Sequence, residues 1–503
     1  MTDGRITSET QFQSSNPVTR RRAISGFGLA GLAAVLTACG GSATGSVQSA
    51  GSSAAAGAGS SAAATAAGSG SASSSQTAAA ASAGGQATSN RSAGALNGPV
   101  SGKIAFSWWG TGERNTKTEA VMTLFTKKYP QASIQGVPIG DFTTYWQKLT
   151  VEAAAHNLPD VPQMQVRYMS AYDTRNALRP LDDLTSTGAI DVSGIPKVVV
   201  DSGRGPDGKL YMIPTGSATN NWMYNETMVT AAGLPSPTTL ATWDAIQKWL
   251  LQAKAKAPSG VYACDLKGGD DSIWWAWVSS NGQKVFNKDG TLGFPKQMMT
   301  DYWNWWEVLR KAGATVPAAM NQEEPTSNVQ TYLAQGKVMF DEAPANQLAA
   351  YQKALTTAGK GTMQVAAFPK TSSGNGQVLV NNGMSIAANT TNLATAAAWV
   401  NFFTNDPQGA TAYASDNGTV TVTSLLDAQI AQATSAAAGT QDYLKFLKSV
   451  VAGNPTIIDF PANYNAVVLA LKNNYSNVAF GKASVEAAVD AFFSQANAAA
   501  ANK

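Results

Sequence analysis

Lys103-Ile104-Ala105-Phe106-Ser107-Trp108-Trp109-Gly110-Thr111-Gly112-Glu113-Arg114, continuing to Tyr129-Pro130, decides the architecture of this chain. Ile104 to Phe106 is a short apolar run of the kind that forms a buried strand. Trp108, Trp109, Gly110 and Gly112 interrupt it and predict a loop. Val121, Leu124, Phe125 and Lys128 then recur at helical spacing, and Pro130 stops the helix. A strand therefore delivers two tryptophans and a glycine turn to the C-terminal edge of a sheet, which is where open α/β sheets bind ligands.

Upstream of this unit the chain is built for export. Thr19-Arg20-Arg21-Arg22-Ala23-Ile24 precedes an apolar run from Phe27 to Leu36. A charged stretch, a short apolar stretch and small residues predict an export signal over 1–38 rather than a membrane span. The paired arginines resemble a twin-arginine signal. Leu36-Thr37-Ala38-Cys39 resembles the lipobox of bacterial lipoproteins, which implies lipid on Cys39 and a membrane anchor. From Gly40 to about Gly98 the composition is almost wholly Ala, Ser, Gly, Thr and Gln, too poor in apolar bulk to offset its ordering entropy. Residues 39–102 are therefore expected to be a lipidated linker with a mean span of roughly 40–45 Å.

Composition narrows the function classes. With 503 residues, two lobes are the prior. A formal net charge of +3 without a dense Lys/Arg cluster argues against nucleic-acid binding. Two cysteines, Cys39 and Cys264, make no disulfide framework, and the lone His156 makes no metal centre. Cys264 is expected to be a buried small hydrophobe, and no cofactor is called for. Thirteen tryptophans are the conspicuous resource.

Downstream, Ala132 to Val137 predicts a strand and Asp141 to His156 a helix with Phe142, Tyr145, Trp146 and Leu149 on one face. Leu158 to Val166 predicts a strand and Met169 to Ala177 a helix. The β, α, β, α order argues for a mostly parallel sheet covered on both faces.

These segments resemble the extracellular solute-binding proteins of ABC importers, in the carbohydrate group related to maltose-binding protein. The matching stretches are Trp109-Gly110, Leu158-Pro159-Asp160-Val161, Ala177-Leu178-Arg179-Pro180-Leu181 and Tyr211-Met212-Ile213-Pro214. Further on come Met223-Tyr224-Asn225-Glu226, Ala232-Gly233-Leu234, Thr242-Trp243-Asp244, Gln335-Gly336-Lys337-Val338-Met339-Phe340, Ala367-Phe368-Pro369 and Asn382-Gly383-Met384-Ser385-Ile386. The resemblance implies a two-lobed α/β periplasmic-binding-protein fold (type II), each lobe a mixed sheet flanked by helices, with ligand in the cleft. It places lobe 1 at 103–213 and 377–405, and lobe 2 at 214–376 and 406–503. It implies a monomeric binder, outside the membrane, that passes a sugar to ABC permease subunits by lobe closure.

Sugars need oriented hydrogen-bond partners for their hydroxyls and flat apolar partners for their C–H faces. Trp109 is the expected stacking residue, with Asp141 and Tyr145 nearby on the following helix. Gln165 and Arg167 follow the Asp160-Val161 strand; the family often places an acid where Gln165 stands. Asn220, Asn221 and Trp222 combine amides with an indole at the exit from the first lobe. Trp274 and Trp275 offer a second platform. Asp341 and Glu342 close the Val338 to Phe340 strand, and Asn382 and Gly383 form a loop that the family uses near its ligand. Trp303, Trp305 and Trp306 read as helix core.

Catalytic motifs are missing: no Gly-x-Ser-x-Gly, Walker loop or His-Glu-x-x-His occurs. Asp341 and Glu342 make a poor glycosidase pair, because adjacent strand residues point to opposite faces. Asn287-Lys288-Asp289-Gly290 and Asp207-Gly208 suit hairpin turns better than calcium loops. A secreted carbohydrate-active enzyme on the same anchor is the rival reading.

Overall fold

The computed structural model describes residues 98–324, 330–433 and 439–501. The export signal, Cys39 and the linker up to residue 97 lie outside the described residues.

The opening unit forms as expected at its core and differs at its edge. Strand β1 runs over Gly102–Trp109 and the helix over Glu113–Lys128. Both tryptophans belong to the strand rather than to the loop. The backbone stays paired out to Trp109, which lies opposite Ile139 of β2 (Ala132–Ile139). The turn starts only at Gly110, where φ is 145°. A β-carbon at Gly110 would meet the Arg114 side chain at 2.4 Å, so the residue suits the turn sterically as well as conformationally.

Two mixed sheets organise the body. The first has the order β2-β1-β3-β9-β4, with β3 at Val161–Gln165, β4 at Ile213–Gly216 and β9 at Asn382–Met384. Strands β1, β2 and β3 are parallel, whereas β9 runs antiparallel to β3 and β4. The second sheet has the order β6-β7-β5-β8, with β5 at Asn220–Asn225, β6 at Tyr262–Cys264, β7 at Val338–Pro344 and β8 at Met363–Ala366. Only β6 and β7 pair in parallel there. The local β, α order alone argues for a mostly parallel sheet; the two observed sheets are instead mixed, as the family resemblance implies. Strands β5 and β9 arrive by long-range crossovers that a local reading does not see.

Three crossover segments lie side by side between the sheets. Ser217 and Thr419 exchange backbone hydrogen bonds of 2.7 and 2.8 Å. The Val380 N–H donates to the Ala218 carbonyl at 2.8 Å, and the Thr219 hydroxyl donates to the Val378 carbonyl at 2.7 Å. The stretch after Asn405 contacts elements of both lobes. The Pro407–Tyr413 helix packs on the Glu113–Lys128 helix of the first lobe. Asp416 pairs there with Arg114 at 2.6 Å, and Thr421 donates to the Pro214 carbonyl at 2.8 Å. The Thr440–Ala452 helix then packs on the Leu348–Thr357 helix of the second lobe.

Aromatic packing fills both lobes. In the first, Trp108 stacks on Phe106 with ring centroids 5.2 Å apart and donates its N–H to Asn115. In the second, the Lys296–Lys311 helix buries Trp303, Trp305 and Trp306, as its spacing predicts. The indoles of Trp303 and Trp305 find carbonyl acceptors at 2.9 and 3.1 Å, which offsets the cost of burying an N–H. Cys264 is buried, and both suspected calcium loops are hairpin turns closed by the bridges Phe286–Leu292 and Arg204–Leu210. Among the described residues no helix is long and apolar enough to cross a membrane.

Candidate functional site

The site forms where β3 and β9 of the first sheet meet the start of the Asp271–Ser280 helix of the second lobe. Gln165 lies opposite Asn382 in the β3–β9 register, so both side chains share a face. Gln165 Nε2 donates to Asn382 Oδ1 at 2.8 Å, and Asn382 Nδ2 donates to the Asn417 carbonyl at 3.1 Å. Gln165 Oε1 in turn accepts from Arg167 Nε at 2.7 Å. This relay aims Arg167, in the first turn of the Val166–Asp173 helix, across the junction.

Arg167 meets the second lobe on two groups. Its Nη1 lies 3.6 Å from Asp271 Oδ2, and its guanidinium carbon is 5.9 Å from the centre of the Trp275 ring. Tyr464 donates its hydroxyl to the same Asp271 oxygen. Trp275 also packs on Phe460, with centroids 5.1 Å apart, and on Tyr464 at 6.0 Å. Burial works to lower the Arg167 pKa, but the carboxylates of Asp271 and Asp270 more than offset it and hold it above its ordinary value.

Behind Asp271 stands a polar wall. Asp270 caps its helix, accepting from the Ser272 N–H at 2.9 Å. Ser272 accepts from Asn220 Nδ2 at 2.6 Å, and the same amide donates to Glu342. Burial, with Asp270 nearby, pushes the Glu342 carboxyl well above its usual range. Asp341 faces the other side of β7, where Lys267 lies 3.7 Å from it and 3.3 Å from both Asp265 and Glu324. Those three carboxylates converge closely enough to hold an ion, and the Lys267 ammonium stands among them as the counter-charge. Burial pushes Asp341 well above its usual range and Asp265 up to about 7.

Two cavities lie beside this junction. One, of about 510 Å³, lies between the lobes and is lined by Arg204, Gly205 and Pro206 on one side and by Lys288, Asp459 and Phe460 on the other. The second, of about 640 Å³, is bounded by Lys267, Asp270, Asp271, Glu324 and Lys472. Phe460 ties the first to the Trp275 ring, and Asp271 ties the second to Arg167.

The junction therefore gathers Gln165, Arg167, Asn220, Trp275, Glu342 and Asn382 from the expected set. Others sit elsewhere. Trp109 is 6% exposed and packs in the first lobe against Phe142, Tyr145 and Trp146. Tyr145 is fully buried and donates to the Gln163 carbonyl at 2.6 Å. Asp141 caps the Phe142–Ala154 helix by accepting from the Thr144 N–H at 2.8 Å. Trp222 packs on Phe340 and Phe368, and Trp274 on Phe286, Phe294 and Phe492, all within the second lobe. Asn221 is buried and donates to the Trp222 carbonyl. Gly383 is in closest contact with β4: a β-carbon there would lie 2.2 Å from the Ile213 carbonyl. Each of these positions answers a packing or capping demand of its own lobe.

Asp271, Ser272, Phe460 and Tyr464 join this junction without having been expected from the sequence. Asp270-Asp271-Ser272 ahead of a helix was a usable signal, since acids and serines gather at helix starts. Tyr464 and Phe460 had no comparable marker.

Residues 120–447 match the family model of bacterial extracellular solute-binding proteins. Among solved structures, an extracellular solute-binding protein family 1 member from Alicyclobacillus acidocaldarius is 25% identical, covering 80% of this chain and 98% of its own, with a TM-score of 0.63. The GacH receptor of Streptomyces glaucescens, solved unliganded and with acarbose, is 21% identical over 78% of this chain and 97% of its own, with a TM-score of 0.62. The cyclic alpha-maltosyl-1,6-maltose binding protein of Arthrobacter globiformis is 18% identical over 81% of this chain and 100% of its own, with a TM-score of 0.63. With its two mixed sheets, its crossovers and a polar, aromatic junction between the lobes, this chain belongs to the bacterial extracellular solute-binding protein family.

Proposed function

We propose that the protein captures a carbohydrate outside the cell at the Arg167–Asp271–Trp275 junction and delivers it to ABC permease subunits without transforming it. The observation that carries this reading is the junction itself. It combines a flat indole, a carboxylate and an amide–carboxyl pair of the second lobe with the Gln165–Asn382 amide pair of the first, which matches the two-sided chemistry of a sugar. The solved relatives that bind acarbose or a cyclic maltosyl sugar support the ligand class. Contacts from both lobes give such a ligand differential affinity for the closed state, which is the physical requirement for ligand-driven closure. The same reading makes the protein a monomer held to the outer face of the membrane by lipid on Cys39, with residues 40–97 as its tether.

Calorimetry of the full chain against a panel of neutral mono- and oligosaccharides tests it, with a reducing-sugar assay on each compound that binds. Saturable heat with no release of reducing ends is the expected result. Release of reducing ends would move the protein to the carbohydrate-active enzymes, and no heat across the panel would sink the sugar reading.

A further inference from the structure

We propose that Arg167 is a built-in stand-in for the ligand: it closes the lobes on Asp271 and Trp275, and the carbohydrate gains its place by displacing it. This rests on reading the junction as the carbohydrate site. The guanidinium is planar, weakly hydrated and suited to stacking on an indole, and its N–H groups match a carboxylate. It sets a charged group against Asp271 and a flat face near Trp275, the two positions a pyranose hydroxyl and ring face would take. Its Nη1 stands 3.6 Å from Asp271 Oδ2 and its central carbon 5.9 Å from the Trp275 ring centre.

Three features make this contact a latch rather than a chance surface pair. The Arg167 and Asp271 side chains are only 23% and 13% exposed, so water screens their attraction little while the lobes are together. Asp271 is held from its own lobe by Tyr464, so its carboxylate is already oriented. Arg167 is held from its own lobe by Gln165, then Asn382, then the Asn417 carbonyl. Asn417 lies two residues from Thr419, which pairs with Ser217 in the crossovers. The latch is thereby tied to the segments that must bend when the lobes part. The contact also sets specificity. A ligand must supply donors to Asp271 and a flat apolar face to Trp275 together, because either alone offers less than the arginine already gives.

Amide hydrogen exchange on the full chain without ligand tests the latch, comparing the wild type with Arg167→Ala and with the near-isosteric Asp271→Asn. Exchange in peptides spanning 268–277 and 457–466 is expected to speed up by about tenfold or more in both variants, while 104–109 and 221–225 keep their wild-type rates. Wild-type rates at the junction in both variants would overturn the proposal. If Arg167→Ala also loosens 104–109, the Asp271→Asn result decides alone. Calorimetry of the same samples separates this from the underlying reading. Unchanged exchange in both variants with sugar binding by the wild type defeats only the latch, whereas no sugar binding by the wild type defeats the site on which it rests.

Discussion

Trp274 and Trp275 are consecutive residues of one helix, and they belong to different parts of the molecule. Trp274 is surrounded by Phe286, Phe294 and Phe492, all of the second lobe. Trp275 meets Phe460 and Tyr464 of its own lobe and Arg167 of the other. Their exposures, 0% and 1%, do not distinguish them. What distinguishes them is which lobe covers the ring, because one residue along a helix turns a side chain by about 100°. A core indole stabilises the lobe. A junction indole is covered in part from the other lobe.

The sharpest way to break this comparison is to truncate both rings. Trp274→Ala is expected to cost about 3–5 kcal/mol in denaturant unfolding, the usual range for removing a large buried aromatic. Trp275→Ala should cost less, since part of its covering comes from a movable arginine, but it should abolish measurable carbohydrate binding. Equal stability losses with intact binding in both would erase the distinction.

A second contrast sets paired against unpaired carboxyls. Asp271 has Arg167 and Tyr464 as partners. Asp173, in the first lobe, is 4% exposed, and its carboxyl has no side-chain partner among the described residues. Burial pushes the Asp173 carboxyl up to about 7, opposed by the Thr174 N–H. The folded state then holds this proton at pH values where the unfolded chain, with an ordinary carboxyl near 3.9, has lost it. The resulting stability is fully present below about pH 4 and is lost as pH rises through about 7. Asp173→Asn should flatten that fall and stabilise the protein at pH 8 by roughly 2–4 kcal/mol, read from unfolding curves at pH 5 and pH 8. Parallel pH profiles for variant and wild type would show that Asp173 is solvated after all.

The smallest effect concerns Asp141, a helix cap that resembled a ligand contact. Asp141→Ala should lower the thermal midpoint slightly and leave sugar affinity unchanged, because the lost bond is to the Thr144 N–H of its own helix. A weakened affinity would return Asp141 to the site.

Much of the frame was legible in the chain itself. The strand and helix after Lys103, the helix that buries Trp303, Trp305 and Trp306, and the hairpins at Asn287 and Asp207 follow from spacing, proline stops and turn residues, all of which act over a few positions. The resemblance ordered these pieces into two lobes. The site was legible only in part. Gln165, Arg167, Asn220, Glu342 and Asn382 stood out as polar residues at strand ends, and strand ends reach the junction. Trp109, Trp222 and Trp274 stood out as indoles, yet an indole near a strand end satisfies a core as well as it serves a ligand.

Tertiary structure alone decided who faces whom. Arg167, Asp271 and Tyr464 are far apart in sequence and meet only after the crossovers bring the lobes together. Local sequence sets periodicity, capping and turns because those energies are short-ranged. The partner of a charge or the cover of a ring is set by packing between distant segments, and no window of the chain contains that information.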